Sequence, residues 1–282
     1  MATNYKSEIS KIPIVVKYEL LKQVRRLRLY GVMLAGSLVT GVGLVLALVL
    51  GSSLGGIDAL GFALLVVSMG GSLLGLEAFA VIAGVFFSGD AISSEFEHKT
   101  GYLMFANPIK RTTLLVGKYF STCISCLLVL AIPYLLVSIA VIMKFGEFPP
   151  EILASFLFAV LYACSVSALT FVFSSLFRGA MGATALPFLL FYFVFPLISG
   201  IIMELGGIEP LIFLNYGADI MYNVLSNPYP PHKISFAISV EGYTLQYTTY
   251  YAGLAEGLII MLSYLIVSLI ISALLMRRRQ MQ

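Results

Sequence analysis

Residues 90–118 read DAISSEFEHKTGYLMFANPIKRTTLLVGK, a polar island between two long apolar runs. The island combines charges of both signs with residue types that begin and end helices. Ser94 and Glu97 have the spacing of a capping box, in which each side chain satisfies a backbone N–H group at a helix start. Gly101 is expected to end that short helix, and Asn107-Pro108 predicts a turn after it. A capped helix between two membrane spans indicates a docking segment for a partner protein outside the membrane.

The composition around the island indicates a polytopic membrane protein. The chain of 282 residues is 60% hydrophobic and 11% charged, with a mean hydropathy of +0.98. A soluble domain of this length needs far more charge on its surface. The apolar runs are long enough to cross a bilayer, which predicts an all-α fold class with six spans at about 29–50, 60–88, 119–143, 152–176, 180–203 and 252–275. Thr112 or Thr113 is expected to cap the third of these helices.

Two segments flank or connect the spans. Residues 11–28 predict an interfacial elbow helix, because apolar and polar residues alternate at helical spacing. Its apolar face is Val16, Leu20, Val24 and Leu27, and its opposite face is Glu19, Lys22, Gln23 and Arg26. A merely basic juxtamembrane tail is the alternative. The external segment 204–251 predicts one or two short helices in its first part, ended by Asn227 to Pro231, and the fold of its remainder stays open.

The orientation follows from the basic residues. With both termini in the cytoplasm, fifteen of the seventeen Lys and Arg residues lie on the cytoplasmic side, and only Lys144 and Lys233 lie outside. This bias obeys the positive-inside rule. We therefore expect a multi-pass protein of the cell membrane, with the polar island (residues 90–118) in the cytoplasm. The net charge of +3 is too small and too localised to indicate a nucleic-acid partner.

The motifs of catalytic sites are missing from the sequence. The two histidines, His98 and His232, are predicted on opposite sides of the bilayer, so they cannot share a metal site. No GxxxxGK[ST] phosphate-binding loop occurs, and the chain is therefore expected to be no ATPase and no enzyme. Cys123, Cys126 and Cys164 lie in apolar runs and are interpreted as small buried thiols rather than a redox or metal pair.

Glu77 is the deepest ionisable residue of the predicted spans. Such residues are costly in a membrane and mark substrate or ion pathways. A structural hydrogen bond from a protonated Glu77 to a neighbouring helix is the other interpretation.

These features together resemble the permease subunits of ABC-2 type transporters. The shared features are a basic elbow, six spans with both ends inside, a polar loop between spans two and three, and a long external stretch before span six. The polar island is the most specific part, and it contains Glu95, Glu97, Thr100-Gly101, Tyr102 to Phe105, Asn107-Pro108, Arg111 and Gly117-Lys118. The family pattern more often reads Gly-Thr where this chain has Thr100-Gly101. The external segment is also richer in proline and tyrosine.

The resemblance implies that residues 90–112 form a cytoplasmic coupling region, with a coupling helix that docks on an ABC ATPase subunit. It also implies a second permease protomer, identical or homologous, and ATP and Mg²⁺ bound by the ATPase rather than by this chain. The residues expected at the ATPase interface supply polar contacts and aromatic anchors: Ser94, Glu95, Phe96, Glu97, His98, Lys99, Thr100, Gly101, Tyr102 and Phe105. For any one of them, a solvated loop position or packing on the chain's own helices is the alternative.

The sequence thus leads to the hypothesis of a permease subunit of an ATP-driven exporter. The expected path lies between two protomers and is lined mainly by spans two and five, with Glu77, Phe188, Phe191, Tyr192 and Phe195 as candidate pathway residues. An aromatic lining indicates an amphipathic or lipophilic cargo. Two alternatives are a membrane partner that assists assembly of an extracytoplasmic protein, and an ion-coupled secondary transporter that uses Glu77. We also expect Glu95→Lys to leave folding intact while uncoupling transport from ATP hydrolysis.

Overall fold

The chain forms a helical bundle with one β-hairpin in a computed structural model that describes residues 10–25, 27–53, 57–68, 75–97, 110–177, 179–240 and 243–278. The helices in chain order are α1 (Ile12–Arg25), α2 (Arg28–Ser53), α3 (Ala59–Ser68), α4 (Leu76–Ser88), α5 (Ser93–Glu97), α6 (Arg111–Phe145), α7 (Glu151–Leu176), α8 (Ala180–Leu189), a π-helical turn (Leu190–Val194), α9 (Phe195–Glu204), α10 (Leu214–Ala218), α11 (Ile220–Asn223) and α12 (Leu254–Arg278). The hairpin strands are β1 (Lys233–Val240) and β2 (Tyr243–Tyr250), which pair antiparallel from Lys233↔Tyr250 to Val240↔Tyr243.

Six helical segments of the described residues are long and apolar enough to cross a membrane. They are Arg28–Leu50, Leu76–Glu95, Arg111–Phe145, Glu151–Leu176, Ala180–Glu204 and Leu254–Met276, numbered here spans 1 to 6. The prediction of an all-α polytopic membrane protein is therefore confirmed, and the single hairpin lies in the long segment between spans 5 and 6. We call the end of the bundle with α1 and the start of α6 the basic end, and the end with β1, β2 and the start of α12 the hairpin end.

Helix α7, which is span 4, lies at the centre of the bundle and packs against α4, α6 and α12. Small residues allow the close approach: a Cβ atom at Gly84 of α4 would lie 2.9 Å from the Ala163 carbonyl oxygen. Serine hydroxyls on α7 also bond between helices, since Ser165 donates to the Met261 carbonyl at 2.9 Å. Close contacts and hydroxyl hydrogen bonds replace the hydrophobic effect as the source of helix association in a bilayer.

The apolar run predicted as one helix over 60–88 does not form a single helix. Gly75 has an extended backbone conformation, with φ −66° and ψ 170°, and α4 begins at the next residue. Glu77 therefore lies in the first turn of a new helix instead of the interior of a long one. Residues 69–74, between α3 and α4, lie outside the described residues.

The helices of the polar island begin differently from what local spacing predicts. Helix α5 begins at Ser93, and the Ser174 hydroxyl of α7 accepts the N–H groups of Ile92 and Ser93, each at 3.1 Å. Helix α6 follows an extended Lys110, and no side-chain cap from Thr112 or Thr113 is present there. Ser94 therefore lies within α5 rather than before its first residue, and a hydroxyl from a distant helix binds the backbone donors at that helix start.

Candidate functional site

A buried ion-pair cluster joins three segments at the basic end. The Lys118 side chain, in the second turn of α6, is only 1% exposed. Its Nζ lies 2.5 Å from Glu95 Oε1 and 2.8 Å from Glu19 Oε1, and it donates to the Ala91 carbonyl oxygen at 2.7 Å. Lys118 thus joins its own helix, α6, to α1 and to the segment of residues 91–95. We call Glu19, Glu95 and Lys118 the lysine cluster.

The charges of the lysine cluster are closely balanced. Burial alone would raise the pKa of Glu19, but the ammonium groups of Lys118 and Lys22 outweigh it, so the Glu19 pKa lies below its ordinary value. Lys22 Nζ is 3.5 Å from Glu19 Oε2 and is partly exposed, so it supplies a second positive charge at the rim. A buried ammonium with two carboxylates and one carbonyl oxygen has the partners that a buried charge requires.

Further contacts fix the first helix and the second span at the same end. Arg28 donates to Asp90 Oδ1 at 2.7 Å and to the Phe86 carbonyl oxygen at 3.2 Å. A Cβ atom at Gly117 would lie 2.7 Å from Val15 Cγ1, so α1 lies directly against α6. Two residues of the polar face predicted for the elbow face the protein, because Glu19 binds Lys118 and Gln23 bonds with Ser125.

Two of the predicted interface residues are buried. Ser94 and Glu95 are 8% and 5% exposed. The Glu95 carboxylate lies in the lysine cluster, and the place of Ser94 and Glu95 at an ATPase interface stays a prediction. Phe96 and Glu97 are described only as backbone of α5. The remaining interface candidates (His98, Lys99, Thr100, Gly101, Tyr102 and Phe105) lie outside the described residues, so their role stays a prediction.

A second feature is a cavity towards the hairpin end, with a volume of about 190 Å³. It lies between α4, the π-helical turn, α9 and α10, and its polar lining includes Glu77, Ser199, Asn215, Tyr216 and Asp219. Phe191 and Tyr192 supply aromatic walls. No Lys or Arg occurs among its described lining residues. The cavity therefore combines two carboxyl groups with aromatic surface.

The carboxyl groups of the cavity influence one another. Asp219 is the acidic neighbour of Glu77, and the hydroxyls of Tyr162 and Tyr222 lie beside the Glu77 carboxyl. Burial raises the pKa of Asp219 to about 7. Such an acid changes its charge close to neutral pH, and acids of this kind concentrate at functional sites. The cavity can accept a proton or the positively charged group of a ligand.

The structure places three of the five candidate pathway residues on this cavity, namely Glu77, Phe191 and Tyr192. Phe188 stacks on Tyr192 with ring centroids 5.2 Å apart, and Phe195 packs edge-on against Phe191 at 5.3 Å. Neither residue belongs to the described lining of the cavity, so both support the wall through these ring contacts. Sequence reasoning missed Asp219 and Asn215 as lining residues, since both belong to a segment predicted to lie outside the membrane.

The π-helical turn sets the direction of this aromatic wall. The Phe195 N–H group donates to the Leu190 carbonyl, five residues earlier. Pro196 has no N–H group to donate to Tyr192, so a regular α-helical bond is missing at this point. π-helical turns within α-helices are frequent at functional sites.

Comparison with protein families identifies the chain. A sequence model described as ABC-2 family transporter protein matches residues 15–281. The chain belongs to the ABC-2 transporter family. The match runs through all six candidate spans, the lysine cluster and the cavity, so this chain is the membrane-embedded transport component of such a system. No curated protein sequence matches the chain.

Proposed function

We propose that this ABC-2 family protein is the permease subunit of an ATP-driven exporter. It pairs with a second permease protomer, identical or homologous, in the cell membrane with both termini in the cytoplasm. ATP and Mg²⁺ are bound by separate ATPase subunits, which dock on the coupling region, residues 90–112. The family match supports the permease role, and the excess of basic residues at one end supports the orientation.

The lysine cluster is the single observation that best supports coupling. The residues that follow Glu95 in the chain are the expected docking segment, and Glu95 itself is bound to Lys118 of span 3 and, through it, to Glu19 of α1. A displacement of the docking segment would therefore act on two spans and on the elbow at once. Rigid elements linked by buried ion pairs can transmit such displacements.

The cavity supports a place for the cargo. Its aromatic walls come from span 5 and its carboxyl groups come from span 2 and α10–α11, which agrees with a path lined by spans 2 and 5. Two carboxyl groups without a described basic partner favour a cargo that carries a positive charge as well as apolar surface. This refines the amphipathic cargo that the aromatic residues alone indicated.

An ion-linked function is the second candidate, and the same cavity favours it. If Glu77 and Asp219 exchange a proton or a cation during transport, the transport rate will follow the charge of these residues even when cargo binding is unchanged. A role in the assembly of an extracytoplasmic protein rests on no contact within the described residues.

The coupling proposal is tested by purification of the tagged chain from its native membranes in a mild detergent, followed by mass spectrometry. We expect an ATPase with a phosphate-binding loop at about one copy per permease. Replacement of residues 98–105 by a Gly-Ser segment of equal length should abolish its recovery, because the lysine cluster is left intact while the expected docking residues are removed. Glu147→Lys, an exposed residue at the hairpin end, is the matched control and should retain the ATPase.

Loss of the ATPase from both variants would indicate a damaged bundle rather than a docking site. Recovery of the ATPase with the Gly-Ser variant would contradict the assignment of the docking segment. Recovery of the parent chain alone would contradict the ABC coupling proposal itself.

A further inference from the structure

Three metal-binding residue types meet at the hairpin end, outside both sites described above. Glu209 lies in the turn after α9, His232 lies just before β1, and Glu256 lies in the first turn of α12. One ligand atom from each of the three lies within 4.8 Å of the others. His232 Nε2 is 3.6 Å from Glu209 Oε2, and His232 Nδ1 is 3.8 Å from Glu256 Oε2.

We propose that Glu209, His232 and Glu256 bind a Zn²⁺ ion at the hairpin end. Zn²⁺ binds imidazole nitrogen and carboxylate oxygen at about 2.0–2.2 Å in tetrahedral geometry, which places ligand atoms roughly 3.3 Å apart. The three ligand atoms lie within 4.8 Å of one another, so binding would draw them together by up to about 1.5 Å. A nitrogen ligand disfavours Ca²⁺ and Mg²⁺, which prefer oxygen ligands.

The hydrogen bonds around His232 favour one ring nitrogen as the ligand. Nδ1 lies 3.2 Å from the Tyr251 carbonyl oxygen, so a proton on Nδ1 can be donated to that oxygen. The lone pair of the neutral ring is then on Nε2, the nitrogen that faces Glu209. A bond from the other ring nitrogen to a backbone carbonyl is the usual outer support of a metal-binding histidine.

Both carboxylates are held in the same way. The Tyr216 hydroxyl, on a side chain that is 1% exposed, donates to Glu209 Oε1 at 2.7 Å and leaves Oε2 directed at the histidine. The Gly253 N–H group donates to Glu256 Oε2 at 2.8 Å. Among the described residues no Lys or Arg forms an ion pair with either carboxylate, so two carboxylates converge on one imidazole ring. A divalent cation would balance these charges.

The ion would join three segments that are distant in sequence. Pro210, next to Glu209, and Tyr216 both line the cavity. His232 is 49% exposed, so an ion can enter from the surrounding water. The Zn²⁺ site would thus hold one wall of the cavity against the start of span 6, and its structural role does not depend on the coupling proposal.

The test uses the full-length chain, purified in detergent with an affinity tag free of histidine and stripped of metal with EDTA. ZnCl₂ is titrated by calorimetry at pH 7.5, and Tm is measured with ZnCl₂ or MgCl₂. We expect one Zn²⁺ per chain, a rise in Tm of several degrees with ZnCl₂, and no rise with MgCl₂. His232→Ala and Glu209→Gln should each weaken Zn²⁺ binding by roughly tenfold or more, and Tyr216→Phe by about tenfold through the lost outer bond.

Two matched controls use the same residue types elsewhere in the chain. His98→Ala changes the other histidine, and Glu204→Gln changes an exposed carboxylate near the same end; both should bind Zn²⁺ like the parent. The proposal is overturned if the parent binds no Zn²⁺, or if His232→Ala binds it unchanged while retaining the parent's Tm without metal. Loss of binding in His98→Ala alone would place the ion elsewhere and overturn it equally.

Discussion

The lysine cluster and the cavity show two ways of burying acidic residues in one bundle. At the basic end, Glu19 and Glu95 share the buried ammonium of Lys118 at 2.8 and 2.5 Å. In the cavity, Asp219 is the acidic neighbour of Glu77, and the hydroxyls of Tyr162 and Tyr222 lie beside the Glu77 carboxyl. The first arrangement holds helices together, because each buried charge has a partner. The second is costly, as is typical of sites that bind or move ions.

Lys118→Met should have the largest effect of the changes considered, because it leaves two carboxylates without their buried cation. Loss of one partner from a buried ion pair costs about 3–5 kcal/mol. We expect a large fall in Tm and in the yield of folded protein, measured by thermal unfolding in detergent. The triple variant Lys118→Met with Glu19→Gln and Glu95→Gln should recover much of the loss, since it removes the unbalanced charges. Equal instability of the triple variant would contradict this explanation.

Glu77→Gln should affect transport more than stability. The amide keeps the size of the side chain but removes the charge, and charged hydrogen bonds contribute about 1.5–3 kcal/mol. We expect cargo-stimulated ATP hydrolysis of the reconstituted complex to fall about tenfold, with basal hydrolysis unchanged. Phe188→Leu, which lies behind the wall rather than on the cavity, should change it far less. An equal loss in both variants would contradict the distinction between lining and supporting residues.

Asp219→Asn should stabilise the protein at alkaline pH. Because burial raises the pKa of Asp219 to about 7 from a reference value of 3.8, the folded state binds more protons than the unfolded state between these values. The free energy of unfolding therefore falls as pH rises through that window. Asparagine does not titrate, so at pH 8 the variant should be more stable by about 1 kcal/mol, or about 2–4 °C in Tm. Unfolding scans at pH 5 and pH 8 would show a smaller difference for the variant than for the parent.

Lys22→Met should have the smallest effect. Lys22 is partly exposed and pairs with Glu19 at 3.5 Å across one helical turn, and such surface pairs contribute about 0–1 kcal/mol. We expect a change in Tm close to the error of the measurement, and a weaker dependence of stability on salt. A loss as large as that of Lys118→Met would mean that the rim charge, rather than the buried one, stabilises this end.

The sequence predicted the spans better than the contacts between them. Six apolar runs were visible because a bilayer demands long apolar helices. The partner of Glu95 was not visible, because Lys118 is 23 positions away along the chain and Glu19 is 99 positions from Lys118. Because Glu95 lies against Lys118, we now expect Glu95→Lys to destabilise the fold, since it would place a second ammonium against Lys118.

The sequence predicted only some of the residues that line the cavity, because the others depend on contacts between distant segments. Glu77 and the aromatic residues of span 5 stood out as an acid and a cluster of rings in apolar runs. Asp219 did not, because its burial depends on how α10 and α11 pack. A Cβ atom at Gly217 would lie 3.2 Å from Ile260 of α12. The spacing of residues in the sequence does not reveal so close a contact. The β-hairpin was not predicted, although residues 233–250 are rich in the β-branched and aromatic residues that favour strands.

The π-helical turn at Leu190–Val194 has a mechanical consequence for span 5. Because Pro196 has no N–H group, the turn cannot convert to a continuous α-helix with all its hydrogen bonds made. Helices α8 and α9 therefore remain two separate helices with a flexible junction between them. Torque applied to α8 at the basic end would then be only partly transmitted to α9. We expect the π-helical turn to act as a hinge. The half of span 5 next to the cavity (α9) can then rotate while the other half (α8) stays packed against α7.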